Sequence, residues 1–389
     1  MQKTHRVNII ALALGLVLTT SCSKSKTVES VSTQNNSDAC LATVVPHRYI
    51  IQWEDGSYSI EHGTSDSDFK KDFIEKKLSM IKRVDRDHRI QLKIQNTNDV
   101  TDSASGGMNW GPEKVEAPAV WSQGFEGQNV LVGVVDGMID TTHSQLVENI
   151  SSAHQFNNEI NDPNRNKHGS HVSGIIVADP SAGPLTGVAP KAKIVGGQFI
   201  GNDGGGSLGD AIIAMNSVAG LGAKIINMSW GGAPCVQNLK SAMETLSNQG
   251  VLLVTAAGNE GTNSDYSPAY PAAFGLMNQI NVAATTVDDF MIYFSNRGYR
   301  TVNIGAPGVG IFSTVPGNKI EAMDGTSMSA PLVSGVAALL LSAYPTATAQ
   351  QIKTAIMNSV DMYSGDLQVS SHGRINAKKA LAELQRIRP

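Results

Sequence analysis

Five short runs rich in Val, Ile and Leu punctuate the chain beyond Trp110: Val130 to Val135, Lys193 to Phe199, Lys224 to Ser229, Val251 to Ala257 and Gln279 to Ala284. Between them lie stretches long enough for helices, as expected for a parallel sheet covered on both faces. The predicted class is α/β. In such sheets the active side chains gather beyond the carboxyl ends of strands. Asp136 ends the first run and Asn259 lies just past another, so both fall on one candidate edge.

The chain has 389 residues, 41% hydrophobic, with 38 Gly and only 16% charged. That is a globular composition with room for one large core plus a small accessory, and it excludes a fibrous or disordered protein. A net charge of -4 with no long Lys/Arg run supplies no basic field, so nucleic-acid binding is excluded as the main function.

Composition divides the chain into five parts. Residues 1–22 read as an export signal: Lys3, His5 and Arg6, then an apolar run from Val7 to Leu18, then Thr19-Thr20-Ser21-Cys22. The run is short for a membrane span. A Cys after small residues resembles the bacterial lipoprotein signal, although Thr19 stands where Leu is usual. The expectation is an exported protein, extracellular or attached to the cell envelope by a lipid on Cys22, with ordinary secretion as the alternative. Residues 23–44 form a polar tether. Residues 45–95 read as a small α+β module: a strand at Arg48 to Trp53, a helix at Asp68 to Ile81 and a strand at Arg89 to Ile94. Residues 96–109 suit an exposed, cleavable linker. Residues 110–389 carry the main domain. Cys40 and Cys235 are read as free thiols, and no Cys/His cluster has zinc-site spacing.

The chemistry rests on Asp136, His168 and Ser327, a carboxylate, an imidazole and a hydroxyl that together suffice for acyl transfer. Asp140 and His171 compete for the first two roles. Gly169 and Gly174 suit a helix packed tightly on the sheet with His168 at its exposed start, which leaves His171 as structure. Ser327 precedes an apolar helix, Leu332 to Leu341, with Pro331 in its first turn. Its hydroxyl therefore lies at the positive end of that helix, where an oxyanion is favoured.

The blocks Asp136-Gly137-Met138-Ile139-Asp140-Thr141-Thr142-His143, His168-Gly169-Ser170-His171-Val172-Ser173-Gly174 and Gly325-Thr326-Ser327-Met328-Ser329-Ala330-Pro331 resemble the three catalytic blocks of the subtilisin-like serine proteases, in the same order. Gly373-Arg374-Ile375-Asn376-Ala377 is similar too. The resemblance implies a three-layer subtilisin-like fold and a serine endopeptidase that needs no cofactor. It implies Asn259, with the Ser327 N–H, as the oxyanion donor. It implies extended polypeptide substrates clasped between Gly204-Gly205-Gly206 and Ser229-Trp230-Gly231, with Ala256-Ala257-Gly258 and Ala269 lining the pocket for the residue before the cut. That pocket reads as apolar, narrowed by Trp230, and suited to hydrophobic or uncharged side chains. The family's strong calcium site expects an Asp where this chain has Gln145, and residues 179–184 lack its Asn ligands, so that site reads as lost while calcium elsewhere stays possible. Residues 45–95 resemble a propeptide that chaperones folding, plugs the cleft and is cut away by the enzyme itself within Asn96 to Asn109. The expected enzyme is a monomer. A secreted esterase or amidase with the same triad and a catalytically dead surface lipoprotein are the other classes, disfavoured by the paired peptide edges and by the complete set of active residues.

Overall fold

The computed structural model describes residues 43–93, 107–157, 162, 166–362 and 366–388. In the first of these segments β1 (Thr43–Trp53) pairs antiparallel with β2 (Tyr58–His62) on one side and β3 (Ile81–Gln91) on the other. Tyr49, Ile51, Ile81 and Val84 pack against Phe69 and Ile74 to make a small core of their own. Phe69 and Ile74 lie on a helical segment, residues 66–77, that passes through a π turn at Lys70–Ile74. The helix expected up to Ile81 ends at Lys77, and the strand expected from Arg89 to Ile94 begins at Ile81 and ends at Gln91. The reason is charge. Arg83, Asp85, Asp87 and Arg89 disguise β3 as a polar connection, whereas Asp85 and Asp87 turn toward backbone N–H groups of the main domain.

The main domain adds β4 (Leu131–Asp136), β5 (Ile150–Gln155), β6 (Lys193–Gln198), β7 (Gly205–Ser207), β8 (Ile225–Met228), β9 (Leu252–Ala256), β10 (Gln279–Thr285), β11 (Ile304–Pro307), β12 (Ile311–Val315), β13 (Lys319–Met323), β14 (Asp361–Met362) and β15 (Gly373–Arg374). Nine of them form one sheet in the order β14-β15-β11-β10-β9-β8-β4-β6-β5, parallel except for the β14/β15 pair. All five apolar runs of the sequence are strands of this sheet. Its interior strands are apolar on both faces because both faces are covered. Val132 and Val134 point into one core with Val172, Ile176, Leu332 and Val336, from helices His168–Val177 and Thr326–Ala343. Val135, Ile226 and Leu253 point into the other, with Ala211, Ile212 and Leu239 from helices Leu208–Gly220 and Gln237–Asn248. The result is the three-layer, mostly parallel α/β arrangement that the pattern predicts.

Helix Thr326–Ala343 is long and apolar enough to cross a bilayer by length and composition, but 83% of it lies buried, as the central helix of the core. It also begins earlier than the sequence suggests. Pro331 is therefore its sixth residue and lies in its interior, not in its first turn. Pro331 has no N–H for the carbonyl of Ser327, four residues back. The Ser229 hydroxyl donates to that carbonyl instead, at 2.8 Å.

β7 belongs to a different sheet. It pairs antiparallel with β3, Gln91 opposite Gly205 and Arg89 opposite Ser207, so the N-terminal module runs directly onto an edge of the main domain. Cys22 and Cys40 lie outside the described residues, as do the export signal and the cleavable linker up to residue 106; Cys235 is a free thiol.

Candidate active site

Asp136 closes β4 and is fully buried. Its Oδ1 accepts from the Gly137 N–H at 2.6 Å and lies 2.7 Å from His168 Nδ1. His168 is the first residue of its helix, as expected, but it is buried and not at an exposed start. A Cβ on Gly169 would lie 2.3 Å from the Gly137 carbonyl oxygen, so only glycine lets the helix start come this close to the end of β4. Backbone contact thus sets the distance between imidazole and carboxylate. His171, one turn on, is buried with Nε2 3.0 Å from the Glu321 carbonyl, and burial pushes its pKa down to about 3. It stands away from the Asp136 pair, as does Asp140, which accepts from Thr142 and the Gly317 N–H in a loop.

Ser327 is the second residue of its helix and is held by a reciprocal pair of bonds to one neighbour. Its hydroxyl donates to the Ser229 carbonyl at 2.9 Å, and the Ser229 hydroxyl returns a bond to the Ser327 carbonyl. Asn259 lies at the same helix start. Its Oδ1 accepts from both the N–H and the hydroxyl of Thr326, at 3.0 and 2.9 Å. That orients the amide so that Nδ2 faces outward, where it donates to the Lys93 carbonyl at 3.0 Å. Gly325, with φ +148, makes the turn that brings these groups together.

The tail of the module fills the cleft between them. Gln91, Leu92 and Lys93 share it with Trp230, Gly231, Gly232, Ala256, Gly258, Asn259, Glu260, Thr326 and Ser327, leaving about 30 Å³, room for a water or two. Along one wall the Leu92 N–H donates to the Gly204 carbonyl at 2.9 Å, and Gly205 and Gly206 continue the ladder with Gln91 and Ile90. Trp230 is buried, its indole N–H on the Val135 carbonyl and its ring edge-on to Phe199. Two expected lining residues are elsewhere. Ala257 packs with Ala283, Val302 and Leu367, because successive residues leaving β9 point to opposite faces and Ala256 takes the cleft side. Ala269, whose carbonyl accepts from the Ala273 N–H at 2.8 Å, is not among the residues that line the cleft with the module's tail in place.

Three contributors went unnoticed in the sequence. Thr326 orients Asn259. Lys93 presents its carbonyl. Glu260, read there only as the neighbour of Asn259, lines the cleft, with Oε1 2.9 Å from Lys93 Nζ and Oε2 accepting from Asn296 at 2.7 Å. The sequence did hold a signal for the last, an acidic residue directly after the amide donor.

Gln145, where the family's strong calcium site expects an Asp, is buried, and its Nε2 donates to the carbonyls of Asp179 and Leu185 at 2.9 and 2.8 Å. Among the described residues no group of three or more His, Cys, Asp or Glu is arranged to hold a metal ion.

A parallel α/β core, with an Asp–His pair at one strand end and a Ser–Asn pair at a helix start, defines a hydrolase of the acyl-transfer type. Residues 127–380 match the Subtilase family, and the chain belongs to it. It is 36% identical over 275 residues to thermitase from Thermoactinomyces vulgaris, covering 70% of this chain and 95% of that one. It is 34% identical over 274 residues to subtilisin E from Bacillus subtilis (strain 168), covering 70% of each. It is 36% identical over 242 residues to the major intracellular serine protease of the same strain, covering 60% of this chain and 74% of that one. The protein is a subtilisin-like serine-type endopeptidase acting on peptides.

Proposed function

We propose that this enzyme is an exported endopeptidase, made as a zymogen, whose triad is Asp136, His168 and Ser327. The observation that carries the reading is the Lys93 carbonyl on the Asn259 amide, which supports an extended chain entering the cleft with a peptide carbonyl at the oxyanion donor. In this mechanism Ser327 Oγ gives up its resting bond to Ser229 and attacks the scissile carbonyl. His168 takes the hydroxyl proton and passes it to the leaving amine, and water then releases the acyl group. Asp136 fixes the imidazole tautomer through the 2.7 Å contact and stabilises the cation that forms. Asn259 Nδ2 and the Ser327 N–H receive the oxyanion charge. Substrate adds as a strand along Gly204-Gly205-Gly206, with Ser229-Trp230-Gly231 as the other wall.

The module of residues 45–95 acts as chaperone and inhibitor of the same chain, and its removal is autocatalytic. Ser327→Ala tests this: the purified variant stays full-length while wild type shortens, and equal processing of both would contradict it. The chain is exported under its N-terminal signal and is held at the envelope by lipid on Cys22; the mass of the mature N-terminus checks this, and an unmodified terminus beyond Cys22 contradicts it. The enzyme works as a monomer. The Gln145 amide replaces calcium at the family's strong site, so a chelator leaves the melting temperature of the mature enzyme unchanged. A drop of several degrees would show that the enzyme needs a cation, there or at another site.

A further inference from the structure

A cavity of about 240 Å³ opens at the end of the sheet remote from the cleft, between the starts of β8 and β9 and the turn that joins helix Thr326–Ala343 to helix Ala349–Met357. At 1.5 Å per residue, Leu341 on its wall stands about 21 Å along the helix from Ser327, so this space is no part of the active site. Its walls are apolar. Leu252, Ala347 and Ile352 belong to the sheet's larger core, and Leu341 packs against it. Close-packed interiors leave few voids larger than a water, and an apolar one of this volume is poorly wetted. Small residues keep it open: Ala347 and Ala349 stand where larger side chains would fill it, and Gly250 turns the chain at its edge with φ +84. The charge on the lining has one sign. Lys224 is the only ionisable residue among those that line the cavity, and its ammonium has no hydrogen bond or ion pair with another described residue. Thr348 and Ala349, the N-cap and first residue of helix Ala349–Met357, line it too. Their capping box, Thr348 with Gln351, uses the N–H groups of both capping partners and leaves the first-turn N–H groups of Ala349 and Gln350 open. An unpaired ammonium and a positive helix end thus meet at one apolar space, and the group that answers both is an anion.

We propose that this cavity binds a free straight-chain carboxylate of about six to eight carbons, with its alkyl chain along Leu252, Leu341 and Ile352 and its carboxylate at Lys224 and the first turn of helix Ala349–Met357. The volume sets the length, since at roughly 30 Å³ for each methylene-sized group the space takes about eight. The walls set the tail, because each methylene moved from water to an apolar wall raises affinity about fourfold. The single ammonium sets the head. Lys224 is exposed, so solvent screens it and its share of the affinity is small beside that of the tail. The site goes beyond the proteolytic reading and does not depend on how Ser327 acts.

The test titrates the full chain with butanoate, hexanoate, octanoate and dodecanoate by calorimetry, each below the concentration at which it forms micelles. Affinity should rise about fourfold per added methylene up to octanoate and then level off, because a longer tail has no further wall to meet. Octanoate should bind about two- to fivefold more tightly than octanol, and Lys224→Gln should shrink that difference while the dependence on chain length stays. Ala347→Leu puts a side chain into the space and should weaken octanoate about tenfold or more. Its melting temperature without ligand shows whether it is folded, and Ala349→Leu takes its place if it is not. The proposal is overturned by an absence of saturable binding, by affinity that climbs through dodecanoate without levelling, by octanoate binding that survives the filled cavity, or by a preference for acid over alcohol that Lys224→Gln leaves unchanged. None of these outcomes touches the reading of Ser327.

Discussion

The nine-stranded sheet is apolar on both faces and buries each under helices, whereas the three-stranded module of residues 43–93 has an apolar core on one face only. Its other face meets the main domain through Ile50 and Ile90 set among charges. Asp87 accepts from the Gly209 N–H at 2.9 Å, in the first turn of helix Leu208–Gly220. Asp85 accepts from the Asn238 N–H at 2.7 Å, in the first turn of helix Gln237–Asn248. Arg48 joins Asp87 to Asp210, at 3.1 and 2.5 Å. Carboxylates at two helix N-termini complement the helix dipoles and satisfy N–H groups that the helices leave open. The difference between the regions is one of reversibility. An apolar core comes apart only by unfolding, while an interface built on charge at helix ends can form and separate with both sides still folded.

Substitutions can break this contrast in a graded way. Removing the nucleophile with Ser327→Ala should lower kcat on the order of 10⁶-fold with the melting temperature retained, the magnitude associated with loss of the same group in a subtilisin. Asn259→Leu should cost about 10² to 10³ in kcat with little change in KM, again as for that donor in a subtilisin. A loss of KM alone would mean that Asn259 binds substrate and not the transition state. Both changes strike the main domain and leave the module's contacts at the two helix N-termini intact, although Asn259→Leu also removes the bond to the Lys93 carbonyl. Asp85→Ala with Asp87→Ala should do the reverse: the Asn238 and Gly209 N–H groups lose their acceptors, which speeds release of the cut module about tenfold, measured as the rate at which activity appears, with kcat of the released enzyme unaltered.

The smallest effect concerns pH. Burial holds His88 below the ordinary imidazole range, partly offset by its bond to the Arg86 carbonyl. Docking therefore favours neutral His88 and weakens as pH falls through about 6.5, the value of a free imidazole. Asp85 and Asp87 are shifted the other way, raised by burial against the pull of the Asn238 N–H and of Arg48 respectively. Their burial penalises docking at neutral pH, and that penalty fades as acid protonates them. His88→Gln should slow release at pH 5.5 relative to wild type by a few-fold and change it little at pH 7.5. An equal effect at both would remove His88 from the account.

Much of this was legible in the sequence, for identifiable reasons. Buried parallel strands advertise themselves as apolar runs, so β4, β6, β8, β9 and β10 could be read off the sequence, but not their order in the sheet. β5, with the sequence Ile-Ser-Ser-Ala-His-Gln, is an edge strand with solvated positions and has no such run. β3 was hidden because its charges answer partners far away in the chain. The site blocks were legible since the close approach of Gly169 to Gly137 and the turn at Gly325 admit few alternatives. Ala257 was misplaced by one step of the strand period. Pro331 was misplaced because a side chain from elsewhere, Ser229, stands in for its missing N–H. Glu260 was visible but had no assigned partner until Lys93 met it in space.

Labelling with a fluorophosphonate probe tests the central claim most directly. Mature wild type should carry one equivalent of label, recovered on the peptide containing Ser327, and Ser327→Ala should carry none. Label on another residue, or equal labelling of the variant, would contradict the assignment of Ser327 as the nucleophile.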